Sequence, residues 1–200
     1  VEIKNMSSSY VVGIIHYENF KMIQKELNEQ AFTLHFRDSP IFVDPRDNDL
    51  GARIISPLEK LYLTIKKLNL KIVENNSYIK KAFLKGIPVE GLMSLQNQLF
   101  GLEINFEKLN AIDFKKGCYV GQENTARMKL KNKIRRQLMS IKTKKSVKIG
   151  DEIKYNNNVI GKILIDKPYP FALIKLFDPE FSVFKDKTLK INNDNAKIIS

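Results

Sequence analysis

Two hundred residues, 23.1 kDa, suffice for one large domain or two small ones with a buried core. A hydrophobic share of 43% beside 28% charged residues excludes intrinsic disorder, and the longest apolar run, residues 10–15, is too short to cross a bilayer. The net charge of +12 is concentrated: residues 115–148 hold twelve cations and one acid, Glu123, so the rest of the chain is almost neutral.

Such a stripe fits either an anionic partner or the solvated face of a Lys-rich protein, and composition alone leaves the two level. No RNA-binding aromatic motif accompanies it, so direct nucleic-acid binding is not the favoured reading. One cysteine, Cys118, excludes an internal disulfide and points to a reducing compartment. With only His16 and His35 beside it, no zinc or iron–sulfur ligand spacing exists, and no resident metal is expected. The start carries no signal-peptide pattern and opens Val1-Glu2-Ile3 without Met, which reads as a fragment.

In chain order, residues 10–16 are β-branched and apolar and predict a buried strand. Phe20, Ile23 and Leu27 then recur at helical spacing. Strands are expected at 33–37 and 41–43, divided by the turn cluster Asp38-Ser39-Pro40, and at 52–55. Ser56-Pro57-Leu58-Glu59 predicts a capped helix start, with Leu58, Leu61, Tyr62, Ile65 and Leu68 on its buried face. A short strand at 70–73 follows, then a helix from Ser77 burying Ile79 and Phe83 and ending at Gly86 and Pro88. Leu92, Leu95, Leu99 and Leu102 predict one more helix, and 123–128 another. His16 and His35, in strand-like runs, read as core-edge residues.

Beyond Lys133 the texture changes. Six short strand-like runs, 134–141, 152–155, 159–165, 171–176, 188–191 and 196–199, are separated by turns, and Asn156-Asn157-Asn158 suits a hairpin. Their spacing predicts a small antiparallel barrel or sandwich.

The most informative stretch is Lys116-Gly117-Cys118-Tyr119-Val120-Gly121-Gln122-Glu123. Its glycines permit a sharp bend or a close ligand approach, and nearby lysines favour a thiolate at Cys118. A lone cysteine is more often an inert buried residue.

This stretch resembles the K-G-C-[FY]-x-G-Q-E signature of the YgfZ family of folate-binding proteins, relatives of the glycine cleavage T-protein. The resemblance continues through Leu102-Glu103-Ile104-Asn105-Phe106 and Leu109-Asn110 before it, and through Thr125-Ala126-Arg127 and Lys133-Ile134-Arg135-Arg136-Gln137-Leu138 after it. Asp44-Pro45-Arg46 with Leu50-Gly51-Ala52-Arg53, and Gly86-Ile87-Pro88, resemble further family elements.

The resemblance implies an α+β chain: a T-protein-like folate-binding domain at 1–132, truncated at its start, followed by an antiparallel β-barrel domain at 133–200. It implies a tetrahydrofolate-binding accessory role in assembling or repairing iron–sulfur clusters, and thereby support of iron–sulfur enzymes including tRNA-modifying ones. The partners are then folate and iron–sulfur assembly proteins or enzymes, with no membrane. The location is cytoplasmic, or the mitochondrial matrix in a eukaryote. Cys118, with Lys116, is the candidate for chemistry on a sulfur species, a transient cluster or a partner. Glu103 is the candidate carboxylate for pterin donors, Tyr119 a wall, and Lys116 and Arg127 partners for the anionic tail. Gly117, Gly121, Gln122 and Glu123 complete the expected cofactor set. Arg46 and Arg53 are expected to hold loops or domains together. The competing readings are a folate-dependent aminomethyl or one-carbon transferase, which needs a catalytic acid, and a basic RNA-binding module.

Overall fold

The computed structural model describes residues 2–117, 120–131 and 134–199. The chain divides into two units, Val1–Asn75 and Asn76–Ser200.

In the first unit, four strands form an open antiparallel sheet: β1 (Val11–Ile15), β2 (Thr33–Phe36), β3 (Ser39–Val43) and β4 (Ala52–Ser56), in the order β1-β4-β3-β2. Helix α1 (Tyr17–Leu27) buries Phe20 and Ile23 against Leu34, Phe36, Ile41 and Ile54. Helix α2 (Leu58–Lys67) covers the same face, since a Cβ on Gly13 would meet Leu61 at 3.2 Å beside Ile54.

The strand alternation decides which side chains this layer buries. Val12 and Ile14 of β1 point away from the helices and are exposed, so β1 is a half-buried edge and not a buried strand. The hairpin turn is Arg37-Asp38, both at positive φ, one residue shorter than the Asp38-Ser39-Pro40 cluster suggests. This register sets Leu34 opposite Ile41 and Phe36 opposite Ser39, all four buried. Ser56 stays in β4, where Ser39 Oγ donates to its Oγ at 2.9 Å, so helix α2 starts after Pro57 with no side-chain cap. Its inward face is Leu61, Thr64, Ile65 and Leu68, whereas Leu58 and Tyr62 are exposed. No strand forms at 70–73, where Ile72 and Val73 are exposed, and both histidines are exposed, so neither is a core-edge residue.

The second unit opens with α3 (Asn76–Leu84), which ends at Gly86 (φ +71). The helix expected from the next four leucines is only a 3-10 turn, Leu92–Leu95, followed by successive turns to residue 110. Asn97, Asn105 and Asn110 take left-handed backbone there and interrupt any helical ladder. Helix α4 (Glu123–Leu130) follows.

Six strands then close a barrel: β5 (Arg136–Thr143), β6 (Glu152–Tyr155), β7 (Asn158–Ile165), β8 (Phe171–Lys175), β9 (Leu189–Ile191) and β10 (Asp194–Ile198). Their order is β10-β5-β8-β7-β6-β9, antiparallel throughout. Asn156 and Asn157, both at positive φ, make the two-residue β6/β7 turn. The barrel interior is aliphatic, with Ile141, Ile153, Ile160, Ile163, Ile174 and Leu189 fully buried, and Phe184 of the one-turn helix α5 (Phe181–Phe184) fills it. Outside the barrel, Phe83 of α3 stacks on Tyr169 at 4.8 Å and meets Phe171 edge-on at 5.6 Å. With Leu95, Leu138 and Ile165 these side chains join the helical part to the strands.

Candidate functional site

Two segments separated by some thirty residues converge in the second unit. The turn at 100–106 is drawn to the start of β5 by five polar ties. Leu138 N donates to Glu103 O at 2.7 Å, and Asn105 Nδ2 donates to Leu138 O at 2.8 Å. Gln137 Nε2 donates to Asn105 Oδ1. Arg136 Nε donates to Glu103 Oε1 at 2.9 Å, with Nη2 at the same distance from that oxygen. Asn105 adopts φ +66, a conformation its short amide side chain tolerates.

Glu103 is the buried member, 4% exposed, while the Arg136 side chain is 47% exposed. The other carboxylate oxygen, Oε2, accepts from Phe100 N at 3.1 Å. A carboxylate offers about four acceptor positions. Three are taken here, which leaves one on Oε2. As a ligand group, Glu103 is thus held in a fixed orientation with little spare capacity. A carboxylate of that kind fits one donor of a pterin ring and not a full pterin edge. Asn105 and Gln137 were not singled out from the sequence. The signal was their membership of the same two motif segments as Glu103 and Arg136.

The signature lies beside helix α4. Cys118 and Tyr119 fall outside the described residues. Of their neighbours, Lys116 and Gly117 are exposed, and a Cβ on Gly117 would meet nothing within 4 Å. Gly121 takes φ +90 with equally open space. Gln122, 8% exposed, precedes α4, and its carbonyl accepts from Ala126 N at 2.9 Å. Glu123 opens the helix and Arg127 lies one turn on, both exposed. Lys129 bridges to Glu107 Oε1 at 2.5 Å and lies 5.8 Å from the centroid of the Phe114 ring, tying α4 to the turns that follow Glu103. The described residues on either side of Cys118 and Tyr119 are therefore exposed and include cations, and their chemistry fits an anionic tail better than a buried ring. A separate apolar recess lined by Ile79, Phe83, Ile87, Pro168 and Tyr169 is no larger than a water molecule.

In the first unit, Asp44, 1% exposed, is the hub of the Asp-Pro-Arg element. Arg46 donates to it through its backbone N (3.0 Å), Nε (2.9 Å) and Nη2 (2.7 Å), and Arg53 Nη2 lies 3.1 Å from Oδ2. Burial pushes the Asp44 carboxyl up, but the hydrogen bonds and charge of Arg46, with the charge of Arg53, outweigh it and hold the group below the usual carboxylate range. Gly51 closes this loop at φ +83, with Asp44 N donating to its carbonyl at 2.9 Å. Arg46 and Arg53 thus hold the loop between β3 and β4 together. Among the described residues no helix is long and apolar enough to cross a membrane.

No family model matches the chain. Among curated proteins, it is 34% identical over 160 residues to an iron-sulfur cluster assembly factor IBA57 homolog, mitochondrial, of Dictyostelium discoideum, covering 76% of this chain and 38% of that protein. The corresponding protein of Neurospora crassa is 32% identical, over 68% of this chain and 28% of its own. The tRNA-modifying protein YgfZ of Buchnera aphidicola is 32% identical, over 62% of this chain and 42% of its own. The chain thus spans less than half the length of each of these relatives. Among solved structures, glycine cleavage system aminomethyltransferase T from Bartonella henselae aligns with a TM-score of 0.54 at 12% identity, over 90% of this chain and 55% of that one. That likeness concerns the fold, a T-protein-like α+β chain with a closed antiparallel barrel. Taken with the motif segments that meet at Glu103, the similarity to these curated relatives supports a YgfZ-type folate-binding family for the chain, and the solved structure supports its fold.

Proposed function

We propose that this chain works, within a folate-binding accessory factor, in the assembly or repair of iron–sulfur clusters. The observation that carries this is the alignment of three quarters of the chain with a relative named as an iron–sulfur cluster assembly factor. In this reading the cluster, or the sulfur species that becomes part of it, is cargo and not a resident group. The division at 132/133 into a folate-binding part and a barrel belongs to the same reading. So does support of tRNA-modifying iron–sulfur enzymes, suggested by the name of the Buchnera relative.

Tetrahydrofolate, when bound, supplies a flat pterin and a nitrogen able to carry one-carbon units. Glu103 accepts one pterin N–H on the free position of Oε2, with Arg136 fixing the carboxylate's orientation. Lys116 and Arg127 meet the anionic tail. The open space at Gly117 and Gly121 supports a backbone approach there, and Gln122 and Glu123 fix the start of α4 beside it. Tyr119 forms a wall. Cys118 acts as the thiolate that contacts a transient cluster, a sulfur species or the partner, with Lys116 favouring its ionised form. The partners are iron–sulfur assembly proteins or the enzymes they serve. In a eukaryotic cell the site of action is the mitochondrial matrix, as the names of the relatives suggest.

The experiment is a calorimetric titration of the full-length protein with tetrahydrofolate, alongside a Cys118→Ala variant. Both are then introduced into cells lacking the endogenous factor, where iron–sulfur enzyme activity is measured. Cys118→Ala is expected to bind folate as the parent does and to fail in restoring activity. A parent that neither binds folate nor restores activity overturns the proposal, and a fully active Cys118→Ala removes the thiol from it.

A further inference from the structure

Closing the barrel brings together lysines that the sequence scatters. Lys142 of β5 stands directly opposite Lys197 of β10, and Lys154 of β6 directly opposite Lys190 of β9. Because β10 joins β5 to β9, both pairs belong to one continuous surface, β5-β10-β9-β6. Their chain neighbours Ile141, Ile153, Leu189, Ile191 and Ala196 are buried inside the barrel, so the lysines point outward, and all are exposed. Lys144, exposed at the end of β5, extends the same row. Only three of the five, Lys142, Lys144 and Lys154, lie near one another in sequence. The barrel's closure supplies Lys190 and Lys197.

Two acids lie on this surface or at its rim: Glu152, and Asp194 of β10, whose Oδ2 accepts from Lys145 N at 3.0 Å and from Thr143 Oγ1 at 3.3 Å beside Lys144. Glu152 Oε2 lies 3.1 Å from Lys154 Nζ, and Lys190 Nζ donates to Asn195 Oδ1 at 2.7 Å. Among the described residues no acid pairs with Lys142, Lys144, Lys190 or Lys197. Like charges directly opposite destabilise a ladder, so two such pairs weaken the barrel that carries them. Strands about 4.8 Å apart, with outward positions repeating every ~6.6 Å, turn these lysines into a regular grid of cations.

The composition of the face selects the partner. Protein interfaces deplete lysine and centre on apolar or aromatic anchors. None of the large exposed apolar side chains among the described residues lies on β5, β6, β9 or β10. Cations without apolar anchors suit a polyphosphate chain. We propose that the outer β5-β10-β9-β6 face binds the phosphodiester backbone of a nucleic-acid duplex through Lys142, Lys144, Lys190 and Lys197, without reading its sequence. This property is additional to the iron–sulfur role and does not rest on it.

The test is fluorescence anisotropy of the full-length protein with a labelled RNA hairpin and a DNA hairpin of the same sequence, over a series of salt concentrations. The two hairpins are expected to bind with similar affinity. Four backbone contacts predict that log K falls against log salt with a slope of about −3 to −4. Lys144→Glu/Lys190→Glu/Lys197→Glu, in which two like-charge pairs become opposite-charge pairs, is expected to stay folded, to lose at least ~30-fold in affinity and to flatten the slope. A variant of equal net charge, Lys25→Glu/Lys71→Glu/Lys80→Glu, is expected to bind almost as the parent does. Equal losses in the two triple variants overturn the proposal, because they mean that net charge alone attracts the probe. So does an absence of hairpin binding at low salt, or polyglutamate or phosphatidylserine vesicles competing as well as the hairpins. If the first triple variant melts early, Lys142→Gln/Lys197→Gln replaces it, with a smaller loss of about 5- to 10-fold expected, the salt slope falling by about two contacts' worth, and unchanged affinity counting against the proposal.

Discussion

Replacing Glu103 by alanine tests whether the family's Leu-Glu-x-Asn element holds the second unit together. The substitution removes the carboxylate that receives Arg136 Nε and Nη2 and leaves Phe100 N–H without its acceptor. A hydrogen bond to a charged group contributes about 1.5–3 kcal/mol, and an orphaned N–H costs about 1–3 when buried, with the low end applying to the partly buried Phe100 N–H. Arg136 is half exposed and regains water when released, so its share sits at the low end. The expected loss is about 2–4 kcal/mol, a fall in Tm of roughly 5–15 °C at this chain length. Glu103→Gln keeps an acceptor for Phe100 N and loses the charge, so about half of that loss is expected. The assay is thermal unfolding followed by circular dichroism and calorimetry, completed by a double-mutant cycle with Arg136→Met, where a coupling of about 1–2 kcal/mol is expected. A Glu103→Ala protein melting within about 2 °C of the parent, or a cycle without coupling, refutes the reasoning.

Asp44 gives a pH signature in the first unit. Its folded-state carboxyl titrates below its unfolded value of about 3.9, so its stabilisation is complete above that pH and is lost as the pH falls through the lower folded value. Asp44→Asn is expected to lower stability at neutral pH and to flatten the acid limb of a urea-unfolding pH series; an acid limb as steep as the parent's contradicts this. The glycines separate structure from site. Gly51→Ala, at φ +83 and with its new Cβ driven into the Ile15 carbonyl, is expected to cost at least about 2 kcal/mol in denaturant unfolding. Gly117→Ala, with open space, is expected to cost less than about 0.5 kcal/mol, so any loss of cellular function there reports on ligand approach.

The barrel was the most legible part of the sequence, and β6 has the predicted bounds exactly. Short apolar runs separated by Asn-rich turns carry their own register, because one face of each strand must be buried. The errors cluster where polar residues serve tertiary partners. Ser56 reads as a helix cap in isolation, but its hydroxyl is committed across the sheet to Ser39. The four leucines from Leu92 have helical spacing, yet Asn97 in a left-handed conformation ends the helix after one turn. At the candidate site, two of the motif segments read from the sequence, 102–106 and 133–138, are brought together by the fold at residues 103–105 and 136–138. That Glu103 is already held by Arg136 and Phe100 was not legible, since the pairing depends on a strand entering the barrel more than thirty residues later.

The two sheets differ in a way that matters for handling the protein. The closed barrel has no free edge, whereas β1 flanks the open sheet with Val11-Val12-Gly13-Ile14-Ile15, a run without charge or proline, and pairs on one side only among the described residues. Uncharged, β-branched edges of this kind are templates for strand addition by other molecules. Of the two edges, β1 is the longer and exposes Val12 and Ile14, so concentration-dependent aggregation of this chain is expected to begin there, and a charged residue at either position is expected to raise solubility.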